Sequence, residues 1–220
     1  MKICILTAGK GTRMGPVDRN INKALLPIRG KAIISHIIEY FDPDDEFVIG
    51  LGYMGQQIRD YLKVAYPDRL FHFINIDKFE GAGSGPGYSL LCCKNFLLDP
   101  FYFIPCDCLF DSDFRSVPNG NWIGTKSVDS TQSENYCNAK IRDGIVVDLK
   151  DKEKCPSDFV AFTGFLYVKD LGLFVGFIGM LSYGLFHETF KLSQGAFIFA
   201  FLFAMYDQHR YSFNKPKRSQ

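Results

Sequence analysis

The sequence lacks most of what would place it in an extreme class. It has almost no net charge: 25 Lys and Arg against 24 Asp and Glu leave +1. That balance gives no bulk attraction to nucleic acid or to an anionic membrane, so any basic site has to be local. No internal repeat or low-complexity linker is visible. No apolar run reaches the roughly 18 residues that read as a membrane span. The longest, LGLFVGFIGML at 171–181 and AFIFAFLFAMY at 196–206, read as buried helices. The opening apolar stretch, Met1 to Leu6, is too short for a secretory signal. The seven cysteines form neither a paired CxxC zinc pattern nor a small disulfide scaffold. Cys92 and Cys93 are adjacent, and Cys106 and Cys108 flank Asp107. Reduced, mostly buried thiols in a cytosolic protein are the expectation.

Two well-known phosphate loops are also missing. The P-loop needs GxxxxGK[ST], and no lysine-hydroxyl pair stands in the right place. The dinucleotide fingerprint needs GxGxxG, whereas Gly9 and Gly11 are followed by Met14, with Gly15 one step late.

What is present is a chain of 220 residues, 47% apolar, long enough to bury a core. Strand-like and helix-like runs alternate in its first half. Strands are expected at 2–7, 46–50, 71–76 and 101–105, and helices at 31–41, 55–66 and 88–96. Ile33, Ile34, Ile37 and Ile38 make an apolar stripe at helical spacing. His36 shares that helix and carries no assigned chemistry. Short strands follow at 122–126, 136–141, 145–149 and 159–168. The alternation predicts an α/β fold: a Rossmann-like α/β/α sandwich with a mostly parallel central sheet, as one domain over 1–220.

The first strand, KICIL, runs into ILTAGKGTRMGP. In open α/β sheets ligands sit at the carboxyl ends of the strands. Gly9 and Gly11 allow positive φ and close approach to the backbone. Backbone N–H groups with Lys10, Arg13 and Lys23 nearby suit the oxygens of a polyphosphate.

The opening run and the NKALLPI segment, 22–28, together resemble the signature of the sugar-nucleotidyltransferase (nucleotide-sugar pyrophosphorylase) family. That signature is an apolar strand, LxxGxGTR[LM]xP, then a lysine followed by xLLPI. Leu6, Ala8, Gly9, Gly11, Thr12, Arg13, Met14 and Pro16 match it, as do Lys23, Leu25, Leu26, Pro27 and Ile28. Further segments are similar: 46–62, a second strand and helix; 81–94, a base-recognition loop and helix; 103–111, a strand ending on a metal-binding aspartate. Segments 144–153 and 161–168 resemble the acceptor side. The likeness covers roughly the first three-quarters of the chain.

The resemblance implies in-line attack of an acceptor phosphate on the α-phosphorus of a nucleoside triphosphate, with pyrophosphate leaving. It puts Arg13 on the β,γ-phosphates and Lys23 on the α-phosphate as catalytic cations. Leu6, Ala8, Gly9, Gly11, Thr12, Gly85, Pro86 and Gly87 become nucleotide-binding. Lys152, Thr163 and Gly164 become acceptor-binding, although KDKEK around Lys152 would by itself read as a solvated turn. Asp107 becomes the Mg²⁺ ligand, with Cys106 standing where the family commonly has glycine. Asp111 and Asp113 read as solvated or capping. A second acidic ligand, in a segment like WxDxGT, does not occur, and Asp207 reads as a helix-end residue. Mg²⁺ would then rest on Asp107 and the substrate phosphates, with the second carboxylate lost or lying beyond the end of the chain.

The function expected is a cytosolic, Mg²⁺-dependent nucleotidyltransferase acting on a sugar 1-phosphate, its product feeding polysaccharide or lipid head-group synthesis. A homo-oligomer is compatible with the sequence. Two alternatives stay open: a cytidylyltransferase for a non-sugar phosphate such as phosphocholine, and a catalytically silent nucleotide-binding domain.

Overall fold

β1 (Lys2–Leu6) is the axis around which the molecule is arranged. It lies between two parallel neighbours, β4 (Glu46–Leu51) and β6 (Phe101–Pro105), with Ile3 opposite Phe47 on one side and Tyr102 on the other. The computed structural model describes residues 1–11, 20–81, 83–110, 114 and 120–169.

Between these strands come the small hairpin of β2 (Pro27–Ile28) and β3 (Lys31–Ala32), then α1 (Ile33–Ile38). After β4 follow α2 (Gly55–Ala65), β5 (Leu70–Asn75) and α3 (Pro86–Cys93). Beyond β6 lie β7 (Trp122–Lys126), β8 (Cys137–Arg142), β9 (Ile145–Asp151) and β10 (Phe159–Val168). The strands form one eight-stranded sheet in the order β5-β4-β1-β6-β10-β8-β9, with β7 also pairing to β10. The first four run parallel. β10 turns back antiparallel on β6, β7 and β8, and β9 is antiparallel to β8.

Alternation along the strands sorts the side chains into two layers. Ile3, Ile5, Phe47, Ile49 and Ile104 meet Ile34, Ile37 and Ile38 of α1 and Ile58 and Leu62 of α2 on one face. Cys4, Val48, Phe101 and Phe103 meet Leu90 and Cys93 of α3 on the other. Each fully buried isoleucine contributes about 1.5–3 kcal/mol relative to exposure. The sandwich is therefore as expected, parallel at its centre and extended by antiparallel strands.

Two local expectations are corrected, and a third is not reached. The helix expected at 31–41 is Ile33–Ile38, because Lys31 and Ala32 pair with Ile28 and Pro27 across a turn at Arg29 and Gly30, both at positive φ. The helix expected from 88 starts at Pro86, since proline's fixed φ suits the first helical position. The apolar runs at 171–181 and 196–206 lie outside the described residues.

The carboxyl ends of β1 and β4 are locked to each other. Thr7 donates to Gly50 O twice, from its backbone N–H at 2.8 Å and from Oγ1 at 2.9 Å. Tyr53 N–H donates to Ala8 O at 3.0 Å. This contact needs a glycine at 52: a methyl group there would sit 2.7 Å from Ala8 Cβ and 2.8 Å from its Cα and O. Ala8 is strand-end backbone and cannot swing aside. Gly52→Ala is therefore predicted to lower stability by about 1–3 kcal/mol in denaturant unfolding. Gly9→Ala, whose new methyl meets nothing within 4 Å, is predicted to stay within about 0.5 kcal/mol. Equal losses from the two would contradict the packing described.

Candidate active site

The strand order reverses between β1 and β6: the chain steps from β1 to β4 and β5 on one side, then returns to β6 on the other. Open α/β sheets place their ligand crevice at the carboxyl end of such a pair. The residues that follow these two strands meet there. Lys23 Nζ lies 3.0 Å from Asp107 Oδ2, joining positions 84 apart in the chain. Lys23 is mostly covered, with 19% of its side chain exposed, and Asp107 is open at 52%.

Lys23 heads a 3₁₀ turn, Lys23–Leu25, capped by Asn22. Burial is the largest influence on the Lys23 ammonium and opposes its charge. Contacts with Cys106 and Asp107 outweigh it, and the net shift is upward. Burial also pushes the Cys106 thiol up to about 11, with Asp107 adding to the effect and Lys23 working against it. Burial likewise lifts Cys108 to about 11. At neutral pH both thiols are protonated, so Asp107 is the partner that holds Lys23 charged. None of the seven cysteines is in a disulfide, and Cys4, Cys93, Cys106 and Cys155 are buried.

Thr163 and Gly164 of β10, expected on the acceptor side, reach the same rim. Gly164, at φ 84°, packs so closely on Pro105 that a methyl group would lie 2.8 Å from the proline Cγ. The register of β10 against β7 shifts here, between Phe162 and Leu166. Thr163 Oγ1 donates to Gly124 O at 3.1 Å, and Cys108 Sγ lies 3.7 Å from Thr163 O. Lys152 is set further out, at the end of edge strand β9, with φ 47° and its N–H on Tyr136 O at 3.0 Å. The pairings Cys137↔Asp151 and Ala161↔Asn138 carry it toward the level of Thr163.

On the nucleotide side, Ala8 is buried at the end of β1 and Gly11 takes φ 71°. Gly9, at a bend after β1, does not use the positive φ that glycine allows. Gly85 caps α3 at φ 150° and Pro86 opens the helix. Gly87 is buried inside α3 and so belongs to the helix, not to the loop. Thr12, Arg13, Met14, Pro16, Asp111, Asp113 and Asp207 lie outside the described residues.

Several contacts around the site carry no sequence signal. Asn22 is fully buried and bonds three separate elements. Gln57 of α2 grips the backbone of Asn20 and Asn22. Lys10 pairs with Glu80 and lies 5.8 Å from the centre of the Tyr53 ring, bridging the opening loop to the base-side loop. Tyr88 OH donates to Asp77 Oδ1 at 2.6 Å, closing the base-side loop at its ends. That bond, with desolvation, pushes Tyr88 up to about 12. Each of these is a long-range or solvent-facing polar contact, invisible to periodicity.

Among the described residues no group of three or more His, Cys, Asp or Glu gathers to hold a metal. Asp107 presents an exposed carboxylate at the switch point. A single hard oxygen donor beside a phosphate site fits Mg²⁺, which takes one or two carboxylates and completes its shell with phosphate oxygens and water.

Comparison with known proteins identifies the family and the fold. The chain is 33% identical over 135 residues to the bifunctional protein GlmU of Methanococcus vannielii, covering 60% of this chain and 31% of that one. It is 35% identical over 118 residues to the choline-phosphate cytidylyltransferase of Streptococcus pneumoniae, covering 53% of this chain and 49% of that one. The matches thus span a third to a half of these relatives' lengths. Among solved structures, a UDP-glucose pyrophosphorylase complexed with UDP-glucose shares the fold, with a TM-score of 0.65 at 20% identity over 80% of this chain and 78% of that one. Residues 3–115, just over half of the sequence, match the family profile described as MobA-like NTP transferase domain, and the chain belongs to that family.

Proposed function

We propose that the chain transfers a nucleotidyl group from a nucleoside triphosphate to a sugar 1-phosphate. The observation that carries this reading is the Lys23–Asp107 pair across the β1/β6 switch point, 3.0 Å apart. An acceptor phosphate oxygen forms the new bond to the α-phosphorus, and the bond from that phosphorus to the pyrophosphate oxygen breaks. The protein's part is positioning and charge neutralisation. Lys23 would hold its ammonium at the α-phosphate as charge develops. Arg13 would grip the β,γ-phosphates through its planar fork. Thr163, Gly164 and Lys152 would orient the acceptor. Asp107 would hold Mg²⁺ together with phosphate oxygens; when bound, the ion neutralises charge on the phosphates. Protonated thiols at Cys106 and Cys108 argue against a covalent cysteine intermediate.

We place the enzyme in the cytosol as a single domain, its product an activated sugar for polysaccharide or lipid head-group synthesis. The reduced cysteines support that location. No helix among the described residues is long and apolar enough to cross a membrane. A second reading, cytidylyl transfer to a non-sugar phosphate such as phosphocholine, is favoured by the likeness to the pneumococcal protein. Pyrophosphate release with a panel of triphosphates and phosphorylated acceptors separates the readings, and no release with any pair overturns both.

Lys23→Ala and Arg13→Ala are each predicted to cut turnover about a hundredfold or more, since one preorganised charge contact supplies on the order of 3 kcal/mol. Near-normal release in both variants would remove the assignment.

Asp107→Asn is predicted to raise the Mg²⁺ concentration for half-maximal rate by roughly tenfold while the fold persists, because a full anionic charge leaves an exposed rim position. Mg²⁺ titrations that superimpose on the parent's would refute the ligand role.

Cys106→Ser and Cys108→Ser are predicted to keep turnover within about threefold, because neither thiol is ionised at neutral pH. Alkylation of Cys108 in the folded protein should climb about tenfold per pH unit and level off only near pH 11. Unfolded thiols ionise near 9.0 and these near about 11, so their contribution to stability is complete below 9 and lost as pH rises through that window. A plateau of alkylation near pH 8.5 would contradict the burial.

A further inference from the structure

Two side-chain amides tie the loop that delivers Lys23 to the rim. Asn22 stands immediately before Lys23 and is 0% exposed. Its Nδ2 donates to Thr7 O at 3.0 Å, at the end of β1, and to Tyr53 O at 2.7 Å, in the turn after β4. Its Oδ1 accepts from Ala24 N–H at 3.0 Å, capping the turn that carries Lys23. Both amide hydrogens and the amide oxygen are thus used, so a buried polar group sits here without a desolvation penalty left open.

Gln57 completes the arrangement from α2. Its Oε1 accepts from Asn22 N–H at 2.9 Å and its Nε2 donates to Asn20 O at 3.0 Å. One side-chain amide therefore pairs with the backbone on both sides of Ile21, as a neighbouring strand would. Together the two amides tie residues 20–24 to β1, to the β4–α2 turn and to α2.

We propose that Asn22 and Gln57 are positioning residues for Lys23: they fix the backbone from which its ammonium reaches Asp107 and the nucleotide phosphate. The inference rests on the proposed nucleotidyl transfer for its catalytic consequence, and on the hydrogen bonds alone for its structural one. The ammonium sits at the end of four methylenes, so a shift of its backbone by an ångström moves the charge off the developing transition-state oxygen. Ground-state affinity for a triphosphate, spread over many contacts, is affected far less.

The test uses the full chain with Gln57→Ala, at a half-buried helix position that tolerates truncation, alongside Asn22→Ala. In variants that fold, kcat for pyrophosphate release is expected to drop roughly ten- to a hundredfold with KM for the triphosphate within about threefold. In a Lys23→Ala background the same substitutions are expected to lower kcat by less than about twofold, because residues acting through one group are not additive. An unchanged kcat in a folded variant, or a full further loss without Lys23, overturns the proposal. If the parent releases no pyrophosphate with any substrate pair, the functional reading has failed, and amide hydrogen exchange reads the clasp directly. The Asn22 and Ala24 amides are then expected to exchange at least tenfold faster in Gln57→Ala and Asn22→Ala respectively, with β4 unchanged. Equal exchange in parent and variants overturns the clasp as well.

Discussion

The meeting of Lys23 and Asp107 depends on β1 and β6 being neighbours, and most of the fold serves that adjacency. The two strands pair over five registered positions, Lys2↔Phe101 to Leu6↔Pro105. A slip of one residue would turn Ile3 and Ile5 away from α1 and α2 and would also displace the two functional side chains by one strand step. Register is therefore enforced by hydrophobic burial, worth several kcal/mol per misplaced pair of isoleucines. The ion pair itself contributes little: a partly exposed Lys–Asp contact is worth at most about 1 kcal/mol. Burial builds the site and the ion pair only fills it. That weakness suits a substrate pocket, because a phosphate offering shorter, charge-assisted bonds can take the ammonium from the carboxylate at low cost.

Legibility followed the same division. Strands β6, β7 and β10 fall where apolar composition and turn residues place them, because burial and β-branching leave a local pattern. The start of α1 was hidden because the Arg29–Gly30 turn imposes a hairpin on Lys31 and Ala32, against their helical appearance. Of the residues singled out by the family resemblance, the fold brings Lys23 and Asp107 into contact and sets Thr163 and Gly164 near the end of β6. Asn22, Gln57 and the Lys10–Glu80 and Tyr88–Asp77 contacts were not. Apart from the Ala24 N–H that Asn22 caps, their partners lie 11 to 70 positions away, and no spacing rule records such a contact.

The cysteine at 106 shows how a departure from the family pattern is absorbed. The resembled signature commonly has glycine there, and a side chain beside the proposed metal ligand would be a liability if it were charged. Here the thiol is 1% exposed and packs with the aromatic and aliphatic layer that includes Tyr102, Ile104 and Phe165. Burial keeps it neutral to about pH 11. It therefore adds apolar contact beneath Lys23 without adding a second anion that would compete with phosphate for the ammonium.

The same economy of charge explains why the support of Lys23 is made of amides. Thr7 O and Tyr53 O face the loop where two strands have ended, and each needs a donor. A lysine or arginine could supply one, but would bring a second buried cation within reach of the first and raise the cost of keeping Lys23 protonated. An aspartate could cap Ala24 N–H, but would set a carboxylate against two carbonyl oxygens. Asparagine alone among the short side chains offers two donors and one acceptor with no net charge. At the switch point the Lys23 cation then faces the Asp107 anion. The field there is set by what binds, and the geometry is set by neutral groups that do not titrate.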